Sequence, residues 1–272
     1  MTERAATRLH PARIRAIALN TFREAARSRI LYAILLLVVA VNFAAIGCGV
    51  MSYNEEARVA VDFGLASVGV FGALTAIVLG VTLLYTEVQR RTIHVILAKP
   101  ILRHEFVLGK YVGMAMTLTF LVVAFGLALL GQLALQGAPV TAALGMAVIL
   151  AWLEVMIVAA IAIFFSALSS PFLSGLFTLG LWAIGRSSDE LARVAEKFKI
   201  EAFRWVAKAA LYVVPDLHVY SVSGSELQGQ WVSVHGTFVT WGYVGSAALY
   251  AAAVVAILLI LAMVVFARRD FT

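Results

Sequence analysis

The sequence predicts an all-α integral membrane protein with six transmembrane helices. Of its 272 residues, 62% are hydrophobic and only 13% are charged, and the mean hydropathy is +0.96. A soluble domain needs polar residues over much of its surface, so this composition indicates that lipid surrounds the chain. The apolar residues fall into long runs, and backbone groups in lipid must form hydrogen bonds within their own segment, which favours helices.

The first segment, 1–29, is predicted to hold an amphipathic helix that lies in the membrane interface. Apolar side chains recur at helical spacing on one face, and Arg residues cover much of the rest. That face consists of Ile14, Ile17, Ala18, Phe22 and Ala25. The apolar run that follows is too long for the core of a signal peptide, so we expect it to remain as the first span.

Six apolar runs are candidates for spans, each of which needs about 20 residues. They are 30–51, 63–85, 107–135, 141–168, 172–185 and 241–267, of which the fifth is short. With six crossings, one side carries fourteen Lys and Arg residues and the other carries seven. The positive-inside rule then places both termini and the polar stretch 86–106 in the cytoplasm. The net charge of +6 is thus a topology signal, and no nucleic-acid partner is expected.

Residues 186–240 are predicted to lie on the opposite, outer side. Residues 187–214 have an apolar stripe typical of an amphipathic helix, which Ser188 or Asp189 would cap and Pro215 would end. Residues 216–240 are expected to form an irregular loop. We treat 1–272 as a single domain, with spans at 30–85, 107–185 and 241–267 and a cytoplasmic tail at 268–272.

The stretch 86–111 reads TEVQRRTIHVILAKPILRHEFVLGKY. It resembles the coupling segment of permease subunits of ABC-type-2 exporters, with a Lys-Pro step, an Arg, and Glu-Phe leading to Gly-Lys. Arg91 departs from the pattern, because the family often has Gly there. The stretches ALNTFREAARSRILYAILLL, FFSALSSP, VPDLHVYSV and FARRDF are similar, in this order, to the NosY-like subgroup.

The resemblance implies a permease subunit of an ATP-driven transporter in the inner membrane of a bacterium. It would pair with a second copy or a paralogue, and two copies of a cytoplasmic ATPase subunit would dock on the coupling segments. ATP and Mg²⁺ would bind to the ATPase, and this chain would hold no cofactor. The chain is not expected to be an enzyme, because Gly109-Lys110 lacks the surrounding residues of a P-loop.

The resemblance also assigns docking roles to residues of the coupling segment. Apolar side chains would enter a groove on the ATPase, and arginines would meet acids on its rim. Glu87 would pair with a nearby Arg, either in the segment or at Arg23 or Arg27. The full expected docking set is Glu87, Arg90, Arg91, Ile93, Ile96, Leu97, Lys99, Pro100, Arg103 and Glu105.

Glu154 is a second candidate, because it lies well inside the fourth apolar run. A charge at the bilayer centre costs about 2.5–3.5 kcal/mol, so its side chain should face protein or water. It would be either a substrate- or proton-linked carboxylate between permeases, or a structural residue bonded to Gln132 or Asn42. No metal site is expected, because the spacing of the histidines, including His218 and His235, matches no known ligand pattern.

Two other functions stay open. The same architecture would suit a mechanotransmission anchor, which passes ATP-driven motion to an extracytoplasmic protein without carrying a substrate. The long outer segment 186–240 favours this alternative. An intramembrane lipid-modifying enzyme would need several polar residues converging in or near the spans. Glu154 is the only residue of the sequence that qualifies, which disfavours this function.

Overall fold

The computed structural model describes residues 10–50, 56–89, 102–136, 142–197, 214–221, 225–227, 230–232 and 239–268, together with Trp205 and Leu211. Its helices are α1 Pro11–Ala26, α2 Arg29–Val50, α3 Glu56–Gln89, α4 Arg103–Leu135, α5 Ala142–Leu168, α6 Pro171–Arg186, α7 Ser188–Lys197 and α8 Trp241–Arg268. Strands β1 Ser225–Leu227 and β2 Gln230–Val232 form a small antiparallel hairpin.

Four segments in the described chain are long and apolar enough to cross a membrane: Val61–Thr82, Arg103–Leu135, Ala142–Leu168 and Trp241–Arg268. A fifth candidate combines α1 with the first part of α2, which meet at a bend of 60°. The fifth predicted span corresponds to α6, which has 16 residues. At about 1.5 Å per residue, α6 is roughly 24 Å long, somewhat less than the thickness of a hydrocarbon core.

Helix α5 lies at the centre of the structure. It is apolar around its whole circumference, as a helix enclosed by other helices should be. Its residues from Leu153 to Ile163 are all buried. Helix α3 lies very close to it at two glycines: a Cβ at Gly72 would meet Val155 at 2.7 Å, and one at Gly80 would collide with Ala162. Small residues allow this close approach between helices in lipid.

The described residues within 216–240 include regular elements that the sequence did not predict. Residues 216–240 were expected to form an irregular loop, but they contain a 3₁₀ turn at His218–Tyr220 as well as the β1–β2 hairpin. The prediction that Ser188 or Asp189 caps α7 was also wrong, because both residues lie in its first turn. Ser188 lies inside α7, and its hydroxyl donates to Asp216 Oδ1 at 2.6 Å instead of capping the helix.

Candidate functional site

Most of the expected docking residues fall outside the described residues. Arg90, Arg91, Ile93, Ile96, Leu97, Lys99 and Pro100 belong to that group. Glu87 lies in α3, but its side chain is not described. Arg103 and Glu105 remain, both in the first turn of α4.

The side chain of Glu105 is completely buried. Its Oε1 accepts the backbone N–H of His10 at 2.8 Å, and its Oε2 accepts the backbone N–H of Leu102 at 3.2 Å. The Arg13 guanidinium lies 3.6 Å from Oε2. A buried carboxylate needs several such donors to offset its loss of water. Glu105 therefore links the start of α1 to the start of α4.

Arg103 joins the same end of α4 to α8. Its Nη1 donates to the carbonyl of Ala267 at 2.8 Å, in the last turn of α8. One turn along α4, the ring of Phe106 stacks on that of Phe266 at 5.8 Å. A cation is favourable at a helix C-terminus, where carbonyl groups lack partners within the helix. The first turn of α4 thus contacts both the first and the last helices.

Helix α1 packs directly against α4 along its small residues. A Cβ at Gly109 would meet Ile17 at 2.7 Å, and one at Gly113 would meet the carbonyl oxygen of Ala18 at 2.5 Å. Between these glycines, the buried Lys110 lies 3.9 Å from Glu24 of α1. The predicted apolar face of α1 therefore packs, at least in part, against protein.

Within the membrane region, Glu154 forms an ion pair with Arg186. Arg186 Nη1 lies 2.7 Å from both carboxylate oxygens, and the indole N–H of Trp182 donates to Oε1 at 3.0 Å. Glu154 is 1% exposed and the Arg186 side chain is 23% exposed. The expected partners were wrong: Asn42 donates to Val38 and Ser67. Both amide atoms of Gln132 have no partner among the described residues.

The helix lengths explain why these two charges meet. Helices α5 and α6 are antiparallel neighbours joined by the short turn at Ser169 and Ser170. Glu154 and Arg186 lie almost equally far from this turn along the two helices. Helical rise therefore places them at the same depth. That count was available from the sequence, where Arg186 was assigned instead to the outer side.

The outer segment closes over this ion pair. Leu217 N–H donates to the carbonyl of Gly185 at 3.0 Å, and the Tyr220 hydroxyl donates to the carbonyl of Ala247 at 2.9 Å. Burial raises the pKa of Tyr220, so its hydroxyl stays protonated and able to donate. A cavity of ≈ 20 Å³ remains beside Glu154 and Arg186, walled by Gly69 and Tyr220. That is room for about one water molecule.

The described residues contain no group of three or more His, Cys, Asp or Glu that could hold a metal ion. His218, one of the histidines considered from the sequence, is buried in the outer segment, and its backbone N–H donates to Asp216 Oδ1 at 3.0 Å. His235 lies outside the described residues.

A known family model covers almost the whole chain that holds these polar contacts. The model for the ABC-2 family transporter protein matches residues 15–271. The chain belongs to the ABC-2 transporter family. As an ABC-2 transporter protein it is a multi-pass membrane permease subunit and not itself the catalytic subunit. Permeases of this family normally work with a cytoplasmic ATPase subunit. None of the curated proteins matches the chain.

Proposed function

We propose that this ABC-2 protein is the membrane-spanning subunit of an ATP-driven transporter in the inner membrane of a bacterium. It couples ATP hydrolysis by a partner ATPase to export or to conformational work, and it pairs with a second copy or a paralogue. The observation that carries this proposal is the family match across residues 15–271. ATP and Mg²⁺ bind to the ATPase, and two ATPase copies serve the pair of permeases.

The helix contacts at one end of the structure support a coupling role. Residues 90–101 connect α3 to α4, and α4 is joined at its first turn to α1 by Glu105 and to α8 by Arg103. A force applied to the connection therefore reaches three helices at once. The proposed docking set places Ile93, Ile96 and Leu97 in the ATPase groove and the arginines at its rim, where charge contributes specificity and association rate.

The proposed topology has six spans with both termini in the cytoplasm. Four of them lie in the long helices α3, α4, α5 and α8, α2 supplies the first, and α6 is a short fifth span. One feature supports α6 as a span: its exposed side chains are largely apolar. The charge distribution of the sequence supports the orientation.

The experiment that tests the function is co-purification in mild detergent. We expect a P-loop ATPase to accompany the native protein and to be lost when Ile96 and Leu97 are both changed to Asp. The control is Val194→Asp, which makes one such apolar-to-Asp change at an exposed residue of α7. An ATPase that is absent from the native preparation, or that stays with the double variant, contradicts the proposal or its docking segment, respectively.

The same preparation separates export from the anchor alternative. The outer segment is held against α8 by the hydroxyls of Tyr220 and Tyr243, which donate to Ala247 and Val219. An ordered surface of this kind favours docking of an extracytoplasmic protein. An extracytoplasmic protein that co-purifies, and is lost when the β1–β2 hairpin is deleted, would favour the anchor function over simple export.

A further inference from the structure

The single carboxylate of Glu105 accepts hydrogen bonds at the N-terminal ends of two helices. Leu102 is the N-cap of α4, and a Glu at the third helical position that accepts the N-cap N–H is one half of a capping box. The other carboxylate oxygen accepts a hydrogen bond from outside α4. Its donor is the backbone N–H of His10, which is the N-cap of α1. Negative charge is favourable at both places, because helix N-termini carry positive partial charge.

Glu105 has no surface left for another protein. The side chain is 0% exposed, and both oxygens have donors within the chain. A contact with the ATPase would first have to pull α1 away from α4. Glu105 is therefore not available for docking in this conformation, and its contacts lie within the chain.

The packing behind Glu105 makes α1 and the first turns of α4 a single unit. At Gly113 the backbone of α1 is so close that a Cβ would meet the Ala18 carbonyl oxygen at 2.5 Å. Lys110, 2% exposed, lies beside Glu24, which is further along α1. Glu105 closes this interface at the end nearest to residues 90–101.

We propose that Glu105 is the positioning residue that makes α1 follow α4 when the ATPase displaces the coupling segment. We call Glu105, with the N–H groups of His10 and Leu102, the Glu105 joint. Because α1 meets α2 at a bend of 60°, a shift of α1 changes the tilt of the first span. This inference rests on the proposed function, because the ATPase supplies the displacement.

A pair of substitutions at His10 isolates the joint from the side chains around it. His10→Pro removes the backbone N–H that Glu105 accepts, and His10→Ala keeps it. The φ angle of His10 is −97°, near the range of proline, and the residue lies before the first turn of α1. Glu105→Gln is the second variant, since a neutral amide of the same shape weakens all three contacts.

The measurement is the distance between spin labels in the permease–ATPase complex. Labels at Ala16→Cys and Leu168→Cys report α1, and labels at Val112→Cys and Leu168→Cys report α4. All are exposed residues, and Cys48→Ser removes the single native cysteine. Distances are recorded without nucleotide and after trapping with ATP and orthovanadate, alongside ATPase co-purification and turnover.

In the native complex and in His10→Ala we expect both distances to change on trapping. In His10→Pro and Glu105→Gln we expect the ATPase still to co-purify and the α4 distance still to change. The change in the α1 distance should be lost. Nucleotide-free samples of these two variants should show the detached position of α1 about tenfold more often.

Two outcomes overturn the inference in different ways. If the ATPase co-purifies and α1 still moves with α4 in both variants, the Glu105 joint has no coupling role and the proposed function stands. If no ATPase accompanies the native protein, the proposed function fails and the joint fails with it. A variant that does not fold is recognised by its elution in the void volume, and the other variant then decides.

Discussion

Glu154 and Arg186 form an ion pair in which one guanidinium nitrogen lies 2.7 Å from both carboxylate oxygens. The carboxylate comes from the middle of the central helix α5, and the guanidinium comes from the last residue of the short helix α6. A charge pair at this depth compensates each charge for the loss of water. It also ties the start of the outer segment to the core.

Removing the cation alone should be strongly destabilising. We expect Arg186→Met to lower the free energy of unfolding by about 3–5 kcal/mol, because the buried Glu154 is left without its counter-charge. The measurement is thermal unfolding in detergent. Arg193→Met is the control, since Arg193 is half exposed in its pairs with Asp189 and Glu190 and such surface pairs contribute about 0–1 kcal/mol. Equal losses in the two variants would contradict the assignment.

Replacing both charges should restore most of that loss. We expect the double variant Glu154→Leu with Arg186→Met to be within about 1–2 kcal/mol of the native protein, because buried ion pairs can be exchanged for apolar residues with little cost. ATPase turnover of the complex, measured on the same samples, decides between the two roles of Glu154. Normal turnover at each pH supports a structural role, and a stable but inactive complex supports a substrate- or proton-linked role.

The contact between α1 and α4 should not tolerate a methyl group at Gly113. We expect Gly113→Ala to reduce stability by about 1–3 kcal/mol, because the new Cβ would displace the backbone of α1 at Ala18. Gly131→Ala, on the same helix, is the control: nothing lies within 4 Å of its Cβ position. That change should be neutral or stabilising by up to about 1 kcal/mol, since Ala favours helix.

The orientation can be checked by labelling single cysteines in spheroplasts of a Cys48→Ser strain. An impermeant maleimide should react with Arg193→Cys in intact spheroplasts. It should react with Ala12→Cys only after the membrane is permeabilised, because the proposed topology places α1 on the cytoplasmic side. Both positions are exposed in the structure. The reverse pattern would invert the proposed topology.

Hydropathy predicted the long helices well, because lipid allows little other than helix in an apolar run. It predicted the ends of the helices less well. Helix α4 begins at Arg103, four residues before the predicted span, and so includes Glu105. Charged residues at a span end are expected to face water, and a contact with His10, 95 positions away, has no local signal.

The pairing of Glu154 shows a different limit. Its need for a partner followed from the cost of burying a charge, but composition does not say which partner. Arg186 was assigned to the outer side because the run before it was read as a complete crossing. Helix α6 is short enough to leave its last residue beside the core. The lengths of α5 and α6 predict that Arg186 lies at the depth of Glu154.

The link between His10 and Glu105 also has a consequence for how the protein is made. The surface that receives α1 consists of Glu105, Gly109 and Gly113, and the ribosome synthesises it 95 positions after His10. At about 5–20 residues per second, α1 waits roughly 5–20 seconds before its binding surface exists. During that interval we expect the basic, amphipathic α1 to bind the anionic lipid surface. We therefore expect assembly to start with α1 bound at the lipid surface. It would end when α4, the third long apolar segment, is inserted and packs against α1.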